Sequence, residues 1–255
     1  MIILKSADEI ERMRIAGRVL AGVLNKLKEI IQPGITTMEL EEIAEKEILR
    51  NGGEPTFKGY KRFANDFPFP SCICVSINDE IVHGMPSKRK LQSGDIVSID
   101  VGVKVGGFCS DSAVTVPVNG IDKISAKLLK TTEDALYKGI GKACKGNRLQ
   151  DISYSIQEFV EREGLSVVRD FVGHGIGRSP HEDPQVPNFG KPGCGRRLEE
   201  GMVIAIEPMV NVGSYKVAIL ENSWTAVTAD HNLSAHFEHT VAITRNGPEI
   251  LSILN

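Results

Sequence analysis

Two aspartates, Asp100 and Asp111, lie in neighbouring segments that both read as β-strands, DIVSIDVGVKV before and GGFCSDSAVTVPV after a turn signal at Val105-Gly106-Gly107. An even-length hairpin centred between Val105 and Gly106 makes residues whose numbers sum to 211 face each other, and this pair sums to 211. Two carboxylates then stand on one face of a sheet with Cβ atoms about 5 Å apart. Like charges so placed destabilise a sheet unless something cationic separates them. Three arrangements relieve the repulsion: one carboxyl is protonated, a lysine or arginine intrudes, or a metal binds.

The rest of the composition narrows the setting. The chain has 255 residues, 41 % hydrophobic and 25 % charged, with a net charge of −3. That is a globular composition with no basic stripe for nucleic acid, so nucleic acid is not expected as a partner. No apolar run is long enough for a membrane span. The start, MIILKSADEIERM, turns acidic at once and lacks the basic and long apolar regions of a signal peptide. Five cysteines with no CxxC spacing argue against a disulfide framework and for a reducing, cytoplasmic location.

Helix signals are strong at the N-terminus. Ser6 with Glu9 forms a capping-box pattern, and Ile10, Met13, Gly17, Leu20, Leu24, Leu27 and Ile31 recur at spacings of three and four before Pro33-Gly34. Thr36 with Glu39 opens a second helix to about Arg50, stopped by Gly52-Gly53. Strands are expected near 72–83 and in the two aspartate segments. Further helices are expected from about Asp122 to Ile140 and from about Leu149 to Glu163, with strands and Gly/Pro-rich loops after Val167. Shifting the chain by 112 residues matches Gly34 with Gly146, Leu40 with Ile152, Ile48 with Val160, Arg50 with Arg162 and Gly52 with Gly164. This pattern favours one domain over residues 1–255, built from two similar halves (about 1–120 and 121–255). Antiparallel strands covered by helices on one side make it α+β.

Four further segments are unusual for plain structure. Val203–Val210 reads as one apolar strand with Glu207 in its middle, and a buried unpaired carboxylate is costly. His236–Val241 reads as another, its alternation placing His236, Glu238 and Thr240 on one face. Gly173-His174-Gly175-Ile176-Gly177 frames His174 with glycines; the spacing is not a dinucleotide fingerprint, and Pro180 and Pro184 forbid the helix a phosphate site needs. His181 follows on the same loop, and His83 ends an apolar strand at a Gly/Pro turn. Each of these residues taken alone is more often structural. Together, four carboxylates and one imidazole can surround two divalent ions that share a water. Such a donor set suits Mn, Fe, Co or Zn better than a thiolate-type structural zinc.

These segments, IDVGVKVGGFCSDSAVT, FVGHGIGRSPHEDP, GMVIAIEPMV and AHFEHTVAIT, resemble those of the type I methionine aminopeptidases, members of the M24 metallopeptidases, along nearly the whole chain. The resemblance implies a pita-bread fold, with a curved central antiparallel sheet covered by helices. It implies two divalent ions (Co, Mn, Fe, Zn or Ni), with Asp100 on one, Asp111 and Glu238 bridging, and His174 and Glu207 completing the other. Glu207 would also be the catalytic base, His181 would contact the scissile amide and His83 would lie near the leaving nitrogen. Tyr60, Phe69, Cys74 and Trp224 would line the methionine pocket, with Cys72 and Phe57 as further candidates. Two departures stand out: a longer stretch at 61–70, and Pro180 where many relatives carry an aromatic residue. A monovalent cation near Asn78, Glu80 and Ser234 is also implied.

The expected activity is removal of initiator methionine from nascent chains, preferring a small second residue, by a monomer able to associate with the ribosome. Two other readings stand beside it: a proline-specific aminopeptidase on the same fold, and a non-catalytic pita-bread module that binds peptides.

Overall fold

The computed structural model describes residues 1–61 and 64–254. Among them the chain runs through α1 (Ala7–Ile30), α2 (Thr37–Arg50), β1 (Glu54–Pro55), β2 (Ile73–Ile77), β3 (Glu80–Val82), β4 (Ile96–Val105) and β5 (Phe108–Pro117). Helices α3 (Lys123–Ile140) and α4 (Leu149–Arg162) follow, then β6 (Ser166–Val167), β7 (Val172–Gly175), β8 (Glu182–Pro187), β9 (Val203–Ile206) and β10 (Met209–Asn211). The last strands are β11 (Val217–Ile219), β12 (Ala226–Thr228), β13 (Ser234–His236), β14 (His239–Thr244) and β15 (Gly247–Ile250). The α+β expectation holds, and every pairing is antiparallel.

The helices start where their caps require. Ser6 and Thr36 each accept from the backbone N–H three residues on, while Glu9 and Glu39 return the bond, so both capping boxes form. The periodic face of α1 buries Met13, Gly17, Leu20, Leu24 and Leu27. It packs with α2 against β2 and β4 in a core of Leu20, Leu40, Ile48, Ile73, Ile99 and Val101. A second core joins α3 and α4 to β9 and β14 through Leu128, Ile152, Ile156, Ile204 and Val241. Each such side chain, removed from water, stabilises the fold by about 1.5–3 kcal/mol before chain entropy is counted. Helices α2 and α4 begin 112 positions apart and have the same length, 14 residues. Of the offset-matched residues, Leu40 and Ile152 are both fully buried, as are Ile48 and Val160.

The β4–β5 hairpin departs from the sequence expectation by two residues. Val105 pairs with Phe108, so the two-residue loop is Gly106-Gly107 with φ of 57° and 84°. Two consecutive positive φ angles suit the right-handed twist of a hairpin, and glycine adopts them without strain. Asp100 therefore pairs with Ala113, and Asp111 with Gly102. The aspartates are diagonal neighbours, not direct partners. They still share a face, because side chains alternate with a period of two and the slip is even.

The two apolar runs are not single strands either. Chain 203–211 leaves β9 at Ile206, breaks at Glu207-Pro208 and enters another sheet as β10. Chain 234–244 likewise breaks at Phe237-Glu238 between β13 and β14. In both places a strand changes partners, and the carboxylate sits at the change. Glu238 then exchanges both backbone hydrogen bonds with Ala113, at 2.9 and 3.4 Å. This joins β5 to the second half and aligns Asp100 on β4, Ala113 on β5 and Glu238 at the β13–β14 break in one row.

Candidate active site

The five residues named from the sequence come together around one cavity of about 640 Å³, lined by Asp100, Asp111, His174, Glu207 and Glu238. Donor atoms of Asp111, His174 and Glu238 all lie within 4.8 Å of one another. Glu207 faces His174, Oε1 to Nε2, at 3.6 Å. The register partners of Asp100 and Asp111 are the small residues Ala113 and Gly102, and Thr56 and the Phe57 ring fill the space above Gly102.

The electrostatics are severe. Burial, partly offset by a hydrogen bond with Asp111, raises Asp100 to about 7. Burial, then repulsion by Asp100 and Glu207, drives Asp111 well above the carboxylate range. Burial and the neighbouring carboxylates do the same to Glu207 and Glu238. Oxygens of Asp100 (Oδ1), Asp111 (Oδ1) and Glu238 (Oε1) are buried without a hydrogen-bond partner. No lysine or arginine is among the described residues lining the cavity, so an intruding cation from the chain is not the answer.

His174 adds a nitrogen donor to the site. Burial, then the nearby His181, lowers its pKa to about 3, so the ring is neutral. Its Nδ1 lies 2.9 Å from the carbonyl of Gly175, which can only accept. Nδ1 therefore carries the proton, and Nε2 presents a lone pair toward Glu207 Oε1. A second-sphere carbonyl fixing the tautomer is the usual support of a histidine that ligates metal. A neutral imidazole and four buried carboxyls converging on one cavity, with no lysine or arginine among its described lining residues, fit divalent cations.

The other predicted residues surround this centre. The His181 ring lies 4.4 Å from that of His174 and 4.9 Å from that of Tyr60, centroid to centroid, and burial lowers its pKa. His83, at the end of β3, has a left-handed backbone (φ 58°) and stands edge-on to Phe171 and Trp224. A non-glycine residue held there is strained, and such strain collects at functional sites. Phe57, Phe69, Cys74 and Trp224 form one buried cluster with Tyr60 against it. Phe69 meets Trp224 edge-on at 5.3 Å, and the indole donates to the Phe67 carbonyl. The longer stretch at 61–70 falls partly on residues 62–63, outside the described residues. Its ends are fixed: Gly59 and Phe69 donate to the carbonyls of Phe69 and Tyr60, so both aromatics line the cavity. Cys72 does not join them; it is fully buried in the core beneath α1 and α2.

One residue escaped the sequence reading. His236 is 2 % exposed, lines the cavity, and its Nε2 lies 3.7 Å from Glu207 Oε2 without a hydrogen-bond partner. The alternation of its segment had already put it on the face of Glu238.

An open cluster of buried carboxylates and imidazole, on antiparallel strands with an adjoining apolar pocket, defines a metallohydrolase. Comparison with known proteins narrows this. Residues 11–245 match the model of metallopeptidase family M24. The chain is 56 % identical to the methionine aminopeptidase of Clostridium perfringens, covering 100 % of both chains. It is 52 % identical to methionine aminopeptidase 1 of Bacillus subtilis, covering 99 % of both. The crystal structure of the methionine aminopeptidase from Thermotoga maritima superposes with a TM-score of 0.96 at 45 % identity, again covering 100 % of each. A prolidase from Pyrococcus furiosus shares the fold alone, with a TM-score of 0.80 at 22 % identity, covering 99 % of this chain and 66 % of that one.

The chain belongs to metallopeptidase family M24 and has its pita-bread fold. Its activity is that of a metal-dependent aminopeptidase that removes N-terminal methionine.

Proposed function

We propose that Asp100, Asp111, His174, Glu207 and Glu238 hold two divalent ions, that Glu207 is also the base, and that the apolar cluster selects methionine. The observation that carries this reading is the convergence of buried carboxyls and the unprotonated Nε2 of His174, with no lysine or arginine among the described residues lining the cavity. When bound, the ions (Mn, Fe, Co, Zn or Ni) supply Lewis acidity and lower the pKa of water.

The chain's own groups do the rest. Asp170 at the cavity wall adds negative charge that draws in the cationic α-amine of a peptide. The methionine side chain enters among Phe57, Tyr60, Phe69, Cys74 and Trp224, where a thioether packs well against aromatic edges. Glu207 Oε2, turned away from His174, accepts a proton from the attacking water and returns it to the leaving amine. His181 donates an N–H to the carbonyl oxygen as charge develops there. His83 serves the leaving nitrogen. These two imidazoles flank the path of the second residue and favour a small one.

The physiological substrates are the N-termini of nascent chains in the cytoplasm, met by a monomer that can associate with the ribosome. The chain acts as one catalytic unit of two similar halves, about 1–120 and 121–255. A monovalent cation near the carbonyls of Asn78, Glu80 and Ser234 would steady the loop before His83. Among the described residues no helix is long and apolar enough to cross a membrane.

The test is release of methionine from Met-Ala-Ser and Met-Leu-Ser by chelated protein reloaded with each ion, beside an Ala-Pro substrate. Activity restored by metal and greatest on Met-Ala-Ser is expected. Preference for Ala-Pro would install the proline-specific reading. Peptide binding without cleavage by any metal-loaded form would make the protein a non-catalytic module.

A further inference from the structure

The loop between β7 and β8 carries His181 at its far end, and its anchorage comes from the start of the chain. Lys5 Nζ lies 2.6 Å from Glu182 Oε2, with the two side chains 4 % and 9 % exposed. The other oxygen of Glu182 accepts from the backbone N–H groups of Arg178 and Ser179, at 2.9 and 3.3 Å. One carboxylate thus ties together both ends of the 178–182 turn, and Lys5 holds that carboxylate. Lys5 is itself immobilised: its N–H donates to the Gly201 carbonyl and its ammonium to the Ile3 carbonyl. The packing admits no slack, since a Cβ on Gly177 would come within 2.5 Å of Lys5 Cε and 2.7 Å of the Glu182 carboxylate. His181 immediately precedes Glu182, so a shift of the backbone that this carboxylate anchors would displace the imidazole from its place beside His174 and Tyr60.

A buried ion pair seldom adds net stability over an apolar pair of the same shape, whereas it fixes a geometry tightly. We propose that Lys5 is a positioning residue for this reaction, holding His181 in place through Glu182. The proposal rests on the reading that His181 contacts the scissile amide.

The test is a double-mutant cycle on the metal-loaded enzyme. Lys5→Met alone leaves Glu182 buried and unpaired, so the double variant Lys5→Met/Glu182→Gln, neutral and of similar shape, is made beside it. Each is placed in the wild-type and the His181→Ala backgrounds. The expected result is a fall in kcat of about tenfold or more, the loss typical when a general acid or base is misplaced. KM for Met-Ala-Ser should change little, bound metal should remain unchanged, and no further loss should occur once His181 is alanine. Lys5→Arg should recover part of the rate. An equal loss in both backgrounds, or a loss of bound metal, overturns the proposal, because Lys5 would then act on something other than His181. If His181→Ala alone leaves kcat unchanged, the reading of His181 falls first, and that single variant shows it.

Discussion

The carboxylate cluster that makes the site useful should make the metal-free protein less stable, and Glu238→Gln isolates that effect. Donor atoms of Glu238 and Asp111 lie within 4.8 Å, where two unit charges repel by about 3 kcal/mol at an effective dielectric of about 20. Burial adds a separate cost: it raises Asp100 from 3.8 to about 7, which corresponds to about 4 kcal/mol. A carboxyl whose folded pKa is raised keeps its full stabilising contribution below the unfolded pKa, near 4, and loses it as pH climbs through about 7. Metal-free wild-type protein should therefore be penalised at pH 8, and the isosteric amide should relieve part of the penalty. At about 2–4 °C per kcal/mol for a chain of this size, Glu238→Gln should raise the metal-free Tm at pH 8 by roughly 5–12 °C. The gap should close near pH 4.5, where the carboxyls are protonated in both proteins. Added Mn should stabilise the wild type, by about 2.7 kcal/mol at a hundredfold excess over Kd, and the variant far less. Differential scanning fluorimetry after dialysis against EDTA reads all three quantities. A lower metal-free Tm for Glu238→Gln at pH 8, or a gap that does not change with pH, would refute the reasoning.

Other substitutions probe the surroundings of the cluster. His236→Leu should lower kcat about 10–100-fold by removing the group 3.7 Å from Glu207 Oε2, the usual scale for a partner of a ligand; His236→Gln, which keeps a donor, should stay near wild type in a coupled assay of methionine release. Gly102→Ala would place a Cβ 2.1 Å from Thr56 Oγ1 and 2.8 Å from the Phe57 ring. It should cost about 1–3 kcal/mol in denaturant unfolding and raise KM for methionyl peptides, because the displaced ring belongs to the pocket. Trp224→Ala, at a site 4 % exposed, should destabilise by about 3–5 kcal/mol and erode the preference for methionine over leucine, measured as a ratio of kcat/KM values.

What the sequence made legible follows the range of the interactions involved. The capping boxes at Ser6 and Thr36 and the buried face of α1 are encoded within a turn or two, and they are found where the pattern put them. The hairpin turn is equally local, yet Val105-Gly106-Gly107 is compatible with loops centred on either side of Gly106. The choice rests on which residues adopt positive φ, and the pair that does is Gly106 and Gly107. That error moved Asp100 from opposite Asp111 to opposite Ala113 but left both carboxyls on one face, because the shift was even. The breaks at Glu207-Pro208 and Phe237-Glu238 were hidden for a different reason. An apolar run that leaves one sheet and joins another has the same composition as one that continues, and only the partner strands differ. Those breaks are also what the site needs. A carboxylate in an unbroken strand would be committed to the pleat's own two faces. At a change of sheet, Glu207 reaches His174 with one oxygen and lies near His236 with the other. Glu238, held to Ala113 by two backbone bonds, completes the row that begins at Asp100. The residue types that announce the chemistry were therefore readable one by one, whereas the row of Asp100, Ala113 and Glu238 depends on a pairing between the two halves of the chain that no local pattern specifies.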